Sequence, residues 1–275
     1  MREYRDHFVA FLDILGFKAL LHQSKCDDIF SIFQVIHEHT KSSLVYNGVQ
    51  IQAYEHIKHM ILSDSIILFV DASIEDSFPA LIDVCDTLQK HLANRAQPIL
   101  LRGGIVRGGL YYEGDIIYGD GLTKAYLLES NLAKYPRIVF TKETLEAGKN
   151  ITNHMFMDFE PIRQKYTIDE DELFFINYRP DLTWIASLKL EFWKGYFDRL
   201  LHLCDVTLNS ATDASLREKY LWLRKWILKS IKMFPTLQEM YDTEKKEKNK
   251  RNQQQISEKL AKYANSDKVA ETITE

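Results

Sequence analysis

Cysteine is scarce in this 275-residue chain, and the three that occur, Cys26, Cys85 and Cys204, lie far apart. Their number is odd and their spacing matches no metal-ligand pattern, which excludes a disulfide framework or a cysteine-based zinc centre as the basis of the fold. Unpaired cysteines are typical of reducing compartments, so we expect a cytoplasmic protein.

Long apolar runs and an excess of positive charge are also missing. No segment reaches the roughly 20 apolar residues that a membrane-spanning helix needs, and residues 1–6 lack the apolar core of a signal peptide. The formal net charge is −4, and a mildly acidic chain is not built to coat nucleic acid. We therefore expect neither a membrane nor a nucleic acid as partner.

Apolar residues make up 45% of the chain, enough for a full core, and their spacing over residues 5–180 alternates between strand and helix periods. Strands are predicted at Phe8–Ile14, Ile51–Met60, Ile61–Val70, Ile99–Val106, Leu110–Tyr112, Pro136–Phe140, Met155–Phe159 and Leu173–Tyr178, and helices at Asp27–Leu44, Ser77–Asn94 and Gly119–Ala133. This order predicts an α+β fold over residues 5–180, a ferredoxin-like βαββαβ palm whose antiparallel sheet carries helices on one face.

The remaining residues show only helical patterns. We interpret 184–240 as a helical appendage in which Ser215 and Glu218 form a capping box, and 241–275 as a charged tail that is helical or disordered. The appendage holds Trp184, Trp193, Trp222 and Trp226. We expect these rings to pack against the palm or against a second copy of the chain.

Two aspartates stand where apolar strands end. Asp13 closes the first predicted strand, and Asp64 lies in the turn between the second and third. A palm sheet brings those two places together, and two facing carboxylates repel each other unless a cation lies between them. Their hard oxygens suit Mg²⁺ or Mn²⁺. A single strand-end aspartate is more often a turn or cap residue, so the prediction depends on the pair.

The segment Ile14, Leu15, Gly16 and Phe17 leaves a strand and enters a helix. Free backbone amides at such a point attract phosphate oxygens. Phosphoryl transfer from a nucleoside triphosphate requires metal ions and a phosphate-binding segment side by side, and this arrangement predicts both.

Four segments resemble, in family order, the motifs of class III adenylate/guanylate cyclases. They are Phe11–Phe17, Leu62–Ser65, Leu101–Gly109 and Tyr118–Ala125. The resemblance implies that Asp13, Asp64 and the Ile14 carbonyl bind two metal ions, and that residues 14–17 hold the triphosphate. It also implies a head-to-tail homodimer with active sites at its interface.

The chain departs from the family pattern at several substrate positions. Met60 stands where the family carries its purine-reading lysine, and the neighbouring His59 is a second candidate for lining the base pocket, although a plain strand residue is the simpler interpretation. Thr123 stands at the position of the transition-state asparagine, and Leu127 at that of the transition-state arginine. Loss of that arginine costs several kcal/mol unless another cation replaces it.

Candidates for the replacing cation are Arg102, Arg107, Lys124 and Arg137, and the sequence does not decide among them. Glu129 lies on a mainly apolar helix face. It either orients a base or ribose, or forms a structural salt bridge, for which Arg137 is the expected partner.

The start of the chain and the run Ala125–Val139 resemble the divergent bacterial cyclases of anti-phage defence, which make cyclic CMP or cyclic UMP. The resemblance implies an enzyme that converts CTP or UTP to a 3′,5′-cyclic nucleotide and pyrophosphate. The alternative is an inactive cyclase-like module that binds nucleotide and metal and signals through its helical appendage. A dinucleotide-forming palm enzyme is disfavoured, because the turn Ser63–Ser65 offers one carboxylate and not two.

Overall fold

The computed structural model of the chain describes residues 2–40, 45–46, 49–151, 165–179 and 190–272. The strands are β1 Arg5–Ile14, β2 Val45–Tyr46, β3 Val49–Gln50, β4 Lys58–Leu62, β5 Ser65–Asp71, β6 Leu101–Glu113, β7 Ile116–Tyr118, β8 Ile138–Phe140, β9 Tyr166–Ile168 and β10 Phe174–Ile176. The helices are α1 Phe17–Gln23, α2 Cys26–His39, α3 Ser77–Ala93, α4 Asp120–Leu132, α5 Lys142–Lys149, α6 Leu190–Ser210, α7 Ala214–Lys232 and α8 Pro235–Thr272.

The main sheet has the strand order β4-β5-β1-β6-β8-β10-β9, with β7 paired to the outer part of β6. Its first four strands are antiparallel to their neighbours. Numbered within the βαββαβ repeat, they run in the order 2-3-1-4, which is the ferredoxin-like arrangement. The predicted α+β palm is therefore confirmed. Strand β8 extends the sheet by pairing parallel to β6.

The two faces of the sheet carry different helices. Phe8, Ala10, Leu12 and Ile14 alternate along β1 and join the main hydrophobic core with buried residues of α2 and α3. The core repeat thus has its two helices on one face, as predicted. The later helix α4 lies on the opposite face, where the ring of Tyr126 meets that of Phe11 at 5.4 Å.

Close contact between α4 and the sheet explains the glycines of β6. A Cβ atom at Gly104 would lie 2.8 Å from Leu128 Cβ, and one at Gly108 would lie 2.7 Å from Gly121 Cα. The predicted break between Ile99–Val106 and Leu110–Tyr112 is therefore wrong. The lack of side chains at these glycines allows α4 to pack closely on the strand, and β6 continues through them for 13 residues.

Other boundaries also differ from the sequence prediction. Gln52–His56 forms a 3₁₀ turn, so only Lys58–Met60 of the predicted strand Ile51–Met60 is extended, and β4 continues from there to Leu62. Of the next predicted strand, Ile61–Val70, the part from Ser65 onward forms β5. The predicted strand Met155–Phe159 lies outside the described residues. Helix α2 is described as far as His39, and the predicted end of that helix at Leu44 also lies outside them.

The chain divides into two compact units, Met1–Lys225 and Trp226–Glu275. The predicted boundary between palm and appendage, at 180–184, lies outside the described residues. Helix α7 begins at Ala214, two residues before the start that the predicted capping box implies, because Asp213 and not Ser215 caps it: Asp213 Oδ1 accepts a hydrogen bond of 2.6 Å from the Leu216 amide. Among the described residues, no helix is both long and apolar enough to cross a bilayer.

Candidate functional site

The site is built around Asp13, the penultimate residue of β1. Its neighbours across the sheet are Ser65 on β5 and Arg102 on β6. Side chains directly opposite on paired strands lie on the same face. Because Asp13 is in phase with Phe11, it lies on the face that carries α4. The carboxylate is partly buried at the end of the sheet, with 19% of its side chain exposed.

Asp64 is held at the same end by a backbone contact. The two-residue turn between β4 and β5 contains Ser63, whose φ is 58°, and the Ile14 amide donates a hydrogen bond of 3.1 Å to the Asp64 carbonyl oxygen. The negative charge of Asp64 is among the influences that raise the pKa of Asp13. The structure therefore brings the two predicted aspartates together at one edge of the palm.

Arg102 joins Asp13 to a third carboxylate. Its Nε donates a hydrogen bond of 3.0 Å to Asp13 Oδ2, and its Nη2 lies 2.8 Å from Glu129 Oε1. Glu129 extends from α4, and only 4% of its side chain is exposed. The expected salt bridge of Glu129 to Arg137 is therefore wrong, because the partner is Arg102.

Burial dominates the electrostatics of these carboxylates. It raises the pKa of Asp13, and the hydrogen bond and charge of Arg102 oppose that rise without cancelling it. Burial likewise raises the pKa of Glu129, with Arg102 lowering it and the charges of Asp13 and Asp64 raising it further. The positive charge of Lys219, on α7, also lowers the pKa of Asp13. Arg102 is thus the cation in direct contact with Asp13 and Glu129, and the three carboxylates of Asp13, Asp64 and Glu129 give the site an excess of negative charge.

The predicted phosphate segment is only partly available for a ligand. The Ile14 amide is used by Asp64, and the Leu15 amide donates to the Leu100 carbonyl at 2.9 Å. Within the described part of the chain, the amides of Gly16 and Phe17 have no such partner. Gly16 adopts a left-handed conformation with φ 78°, and the space that a Cβ atom would occupy is open. This leaves Gly16 and Phe17 as the amides that could meet a phosphate.

The other predicted cations lie elsewhere. Arg107 pairs with Asp6 at 2.7 Å, and Lys124 pairs with Asp120 at 2.6 Å. Asp120 in turn accepts a hydrogen bond from the Gly109 amide, and Gly109 is seven residues, or roughly 23 Å, along β6 from Arg102. Arg102 is therefore the predicted cation that contacts Asp13.

Thr123 and Leu127 are exposed on the outer side of α4. The Thr123 hydroxyl donates back to the Gly119 carbonyl, and 47% of Leu127 is exposed. The residue of α4 that reaches the carboxylate site within this chain is Glu129, which faces the sheet. Thr123 and Leu127 consequently face a surface on which a second molecule could bind.

His59 and Met60 lie on opposite faces of β4. Met60 is in register with Ile67 and hence with Phe11, on the face of Asp13. His59 lies on the face of α2, where its ring nitrogens are 3.0 Å from His37 Nδ1 and 2.9 Å from Thr40 Oγ1. Of the two base-pocket candidates, the structure brings only Met60 to the side of the carboxylates.

Helix α7 is attached to the palm next to this site. Tyr135 stacks on Trp222 with ring centroids 5.3 Å apart and donates a hydrogen bond of 2.9 Å to Glu218. Trp222 Nε1 donates to Asp169 Oδ2 at 2.9 Å. This attachment places Lys219 where its charge acts on Asp13, a relationship that no motif in the sequence indicated.

The centre of the attachment is Arg137, whose side chain is fully buried. It forms ion pairs with Asp169 and Asp171 and lies 5.2 to 5.7 Å from the ring centroids of Tyr135, Phe175 and Trp222. The Arg137 carbonyl accepts a hydrogen bond of 3.2 Å from the Gly103 amide. The attachment of α7 is thus one residue away from Arg102 along β6.

No group of three or more metal-ligating side chains occurs in the part of the chain that the structure describes. A metal at this site would therefore rely on the two aspartates, a backbone carbonyl and oxygens of the ligand. That composition is normal for Mg²⁺, which is usually bound by one or two carboxylates together with substrate phosphates and water.

No family model and no curated protein matches the sequence. Among solved structures, the chain is similar to the guanylyl cyclase domain of the RhoGC fusion protein from Blastocladiella emersonii, with a TM-score of 0.45, 14% identity and coverage of 64% of this chain and 96% of that chain. The guanylate cyclase domain of RhGC from Catenaria anguillulae, in complex with GTP, has a TM-score of 0.44 and 13% identity, and the match covers 64% of this chain and 98% of that chain. An adenylate/guanylate cyclase/hydrolase from Silicibacter pomeroyi has a TM-score of 0.41 and 15% identity, and the match covers 66% of this chain and 100% of that chain. These are distant likenesses, and the fold is defined by the strand order of the sheet itself.

Proposed function

We propose that this chain is a metal-dependent nucleotidyl cyclase. Its substrate would be a nucleoside triphosphate, for which we propose CTP or UTP, and its products a 3′,5′-cyclic nucleotide and pyrophosphate. The observation behind the proposal is that Asp13 and Asp64 lie at the same end of the sheet: the Ile14 amide donates a hydrogen bond of 3.1 Å to the Asp64 carbonyl oxygen, and the charge of Asp64 acts on Asp13.

The residues present fit a divalent cation. The two carboxylates are partly buried, and burial is the main cause of the raised pKa of Asp13, to which the like charge of Asp64 adds. Asp13, Asp64 and the Ile14 carbonyl would hold Mg²⁺ or Mn²⁺, two per site in the family that the motifs resemble. When bound, such ions lower the pKa of an attacking hydroxyl and neutralise phosphate charge.

The residues of the chain then have separate tasks. Gly16 and Phe17 offer amides to phosphate oxygens beside the carboxylates. Arg102 supplies a forked cation at the same edge, suited to the charge that develops as pyrophosphate leaves. In the reaction the ribose 3′ oxygen bonds to the α-phosphorus, the bond from that phosphorus to the bridging oxygen breaks, and the 3′ proton passes to solvent or a base.

A homodimer is part of the proposal. The face that carries α4 also exposes large apolar side chains, including Leu62 at 76%, Tyr126 at 50% and Leu127 at 47%. We propose that these side chains form part of the contact between the two subunits. Thr123, exposed on the same face, would serve the site of the partner subunit. Mass measurement in solution should give a dimer for the native chain and a monomer for Tyr126→Glu.

A second candidate function is a binding module without turnover. It is favoured by Thr123 and Leu127, which replace the asparagine and arginine that the family uses in the transition state. Both side chains are exposed on α4, whereas Glu129 of the same helix points to the carboxylates. Such a module would bind nucleotide and metal and would use α7 to transmit the bound state.

The deciding experiment incubates the purified chain with Mn²⁺ and each of the four ribonucleoside triphosphates and identifies products by mass. We expect cyclic CMP or cyclic UMP, abolished by Asp13→Asn and by Asp64→Asn and retained in the surface control Asp27→Asn. Nucleotide binding without any cyclic product would establish the binding module instead. Equal turnover by all three variants would overturn the role of the aspartate pair.

A further inference from the structure

The guanidinium of Arg102 lies between two carboxylates of unequal character. Asp13 comes from the neighbouring strand and contacts Nε, whereas Glu129 comes from α4 and contacts Nη2. The two contacts use different nitrogen atoms, so a planar guanidinium can keep either one after the other is broken.

Glu129 is the more deeply placed of the two partners. Its side chain is 4% exposed, against 19% for Asp13. Its Oε1 is buried and, in spite of the 2.8 Å ion pair, has no aligned hydrogen bond within the described residues. A buried carboxylate in that state depends on its cation, because losing the cation would leave an uncompensated buried charge.

We propose that Glu129 is a positioning residue that keeps Arg102 at the site while Asp13 is engaged by a metal ion. This inference rests on the proposed function and deepens it. Asp13 is the exchangeable partner of Arg102, because it is one of the metal-binding pair. Glu129 is the permanent partner, and its hold on Nη2 leaves Nε of the guanidinium for an oxygen of the triphosphate.

The placement of α4 supports this division of labour. Leu128 and Ala125 pack directly on Gly104, two residues from Arg102 on β6. The backbone that carries Glu129 is therefore fixed relative to the strand that carries Arg102. A glutamate on a rigid helix over a glycine platform can hold a long arginine side chain in one orientation, which reduces the entropy lost when a phosphate binds.

The test uses Glu129→Gln, which keeps shape and removes charge, and Glu129→Asp, which keeps charge and shortens the side chain. Glu191→Gln, an exposed glutamate on α6, is the matched control. With Mn²⁺ present, we expect Glu129→Gln to raise the KM for the triphosphate at least tenfold and Glu129→Asp to restore part of the loss. Mn²⁺ binding without nucleotide, followed by electron paramagnetic resonance, should change by less than twofold in Glu129→Gln.

A second measurement does not require turnover. Binding of inorganic pyrophosphate in the presence of Mn²⁺, measured by calorimetry, should weaken by a similar factor in Glu129→Gln and Arg102→Met, and the double variant should be no weaker than Arg102→Met. That non-additivity is the sign of a residue that acts through Arg102. It can be observed even if the four triphosphates yield no cyclic product, so failure of the cyclase proposal is distinguishable.

Two results would overturn the inference. One is pyrophosphate affinity and KM in Glu129→Gln within twofold of those in Glu191→Gln. The other is a changed preference among the four bases at unchanged pyrophosphate affinity, which would make Glu129 a contact of the base or ribose. Thermal unfolding of each variant checks that the palm remains folded.

Discussion

Arg102 and Asp13 occupy directly opposed positions on β6 and β1, and the arginine Nε donates a hydrogen bond of 3.0 Å to the aspartate Oδ2. The ion pair is a cross-strand pair, fixed by the register of the sheet. In the absence of a divalent cation it supplies Asp13 with a counter-charge. It does not fully offset burial, since the pKa of Asp13 is still raised.

The first prediction concerns pH and stability. Below its ordinary pKa of 3.8, Asp13 is protonated in both the folded and the unfolded chain. As pH rises the unfolded chain ionises first, so the folded state loses stability until pH passes the raised pKa.

Asp13→Asn should therefore unfold at a higher temperature than the native chain at pH 7 without metal, and the difference should shrink toward pH 4. Saturating Mn²⁺ should raise the Tm of the native chain and not that of the variant. Thermal unfolding from pH 4 to 8 measures both effects, with Asp27→Asn as control. A difference that grows as pH falls would contradict the assignment.

The second prediction concerns Lys219. Because its positive charge lowers the pKa of Asp13, Lys219→Met should raise that pKa. A ¹³C NMR titration of labelled aspartate carboxyls, with the Asp13 signal assigned by its loss in Asp13→Asn, measures the change directly. Lys229→Met, an exposed lysine of the same helix, should leave the signal unmoved. An identical Asp13 titration in Lys219→Met would show that α7 does not act on the site.

The third prediction concerns the contact between α4 and the sheet. Gly104→Ala would place a Cβ atom 2.8 Å from Leu128 Cβ and 2.9 Å from the Ala125 carbonyl oxygen. The helix would have to move, and overpacking of this kind costs about 1–3 kcal/mol. The control is Gly195→Ala within α6, where the new Cβ meets only Arg199 Nη1 at 3.4 Å.

Gly195→Ala should be neutral or should stabilise by up to about 1 kcal/mol, because alanine favours a helix over glycine. Urea unfolding of both variants gives the comparison. Equal stability of the two alanine variants would show that α4 can shift without penalty.

The fourth prediction concerns Arg137. Lysine at this position would lose the forked contacts with Asp169 and Asp171, and removing a partner from a buried ion pair costs about 3–5 kcal/mol. We expect Arg137→Lys to lose about 3 kcal/mol of stability in urea unfolding. Arg251→Lys, at an exposed pair with Glu247, should change stability by less than about 0.5 kcal/mol. Comparable losses in both would contradict the burial argument.

Much of the fold followed from the sequence because the relevant signals are local. The apolar run ending at Asp13 and the polar turn at Asp64 mark strands whose order determines a ferredoxin-like sheet. The prediction of a break at the glycines of β6 was wrong. A glycine that allows a helix to pack closely on a strand cannot be distinguished in sequence from a glycine that ends the strand. Ile51–Met60 was similarly ambiguous, since a short segment with apolar residues at intervals suits a strand and a helical turn alike.

The site was predicted only where it depends on one strand end or one turn. Asp13 and Asp64 have that character. The pairing of Arg102 with Glu129 depends on the position of α4 over the sheet, and the influence of Lys219 depends on where α7 attaches. Neither relationship has a fixed spacing in the chain, so sequence patterns could not select Arg102 from the four candidate cations.

The buried Arg137 also bears on how the protein can be divided. Four of its neighbours, Tyr135, Asp169, Asp171 and Phe175, belong to the predicted palm, but Trp222 belongs to α7. A shortened chain ending near residue 180 would expose one side of this guanidinium to water and remove the indole that covers it. The smallest piece expected to fold on its own therefore includes Trp222 together with the helix α7 that carries it.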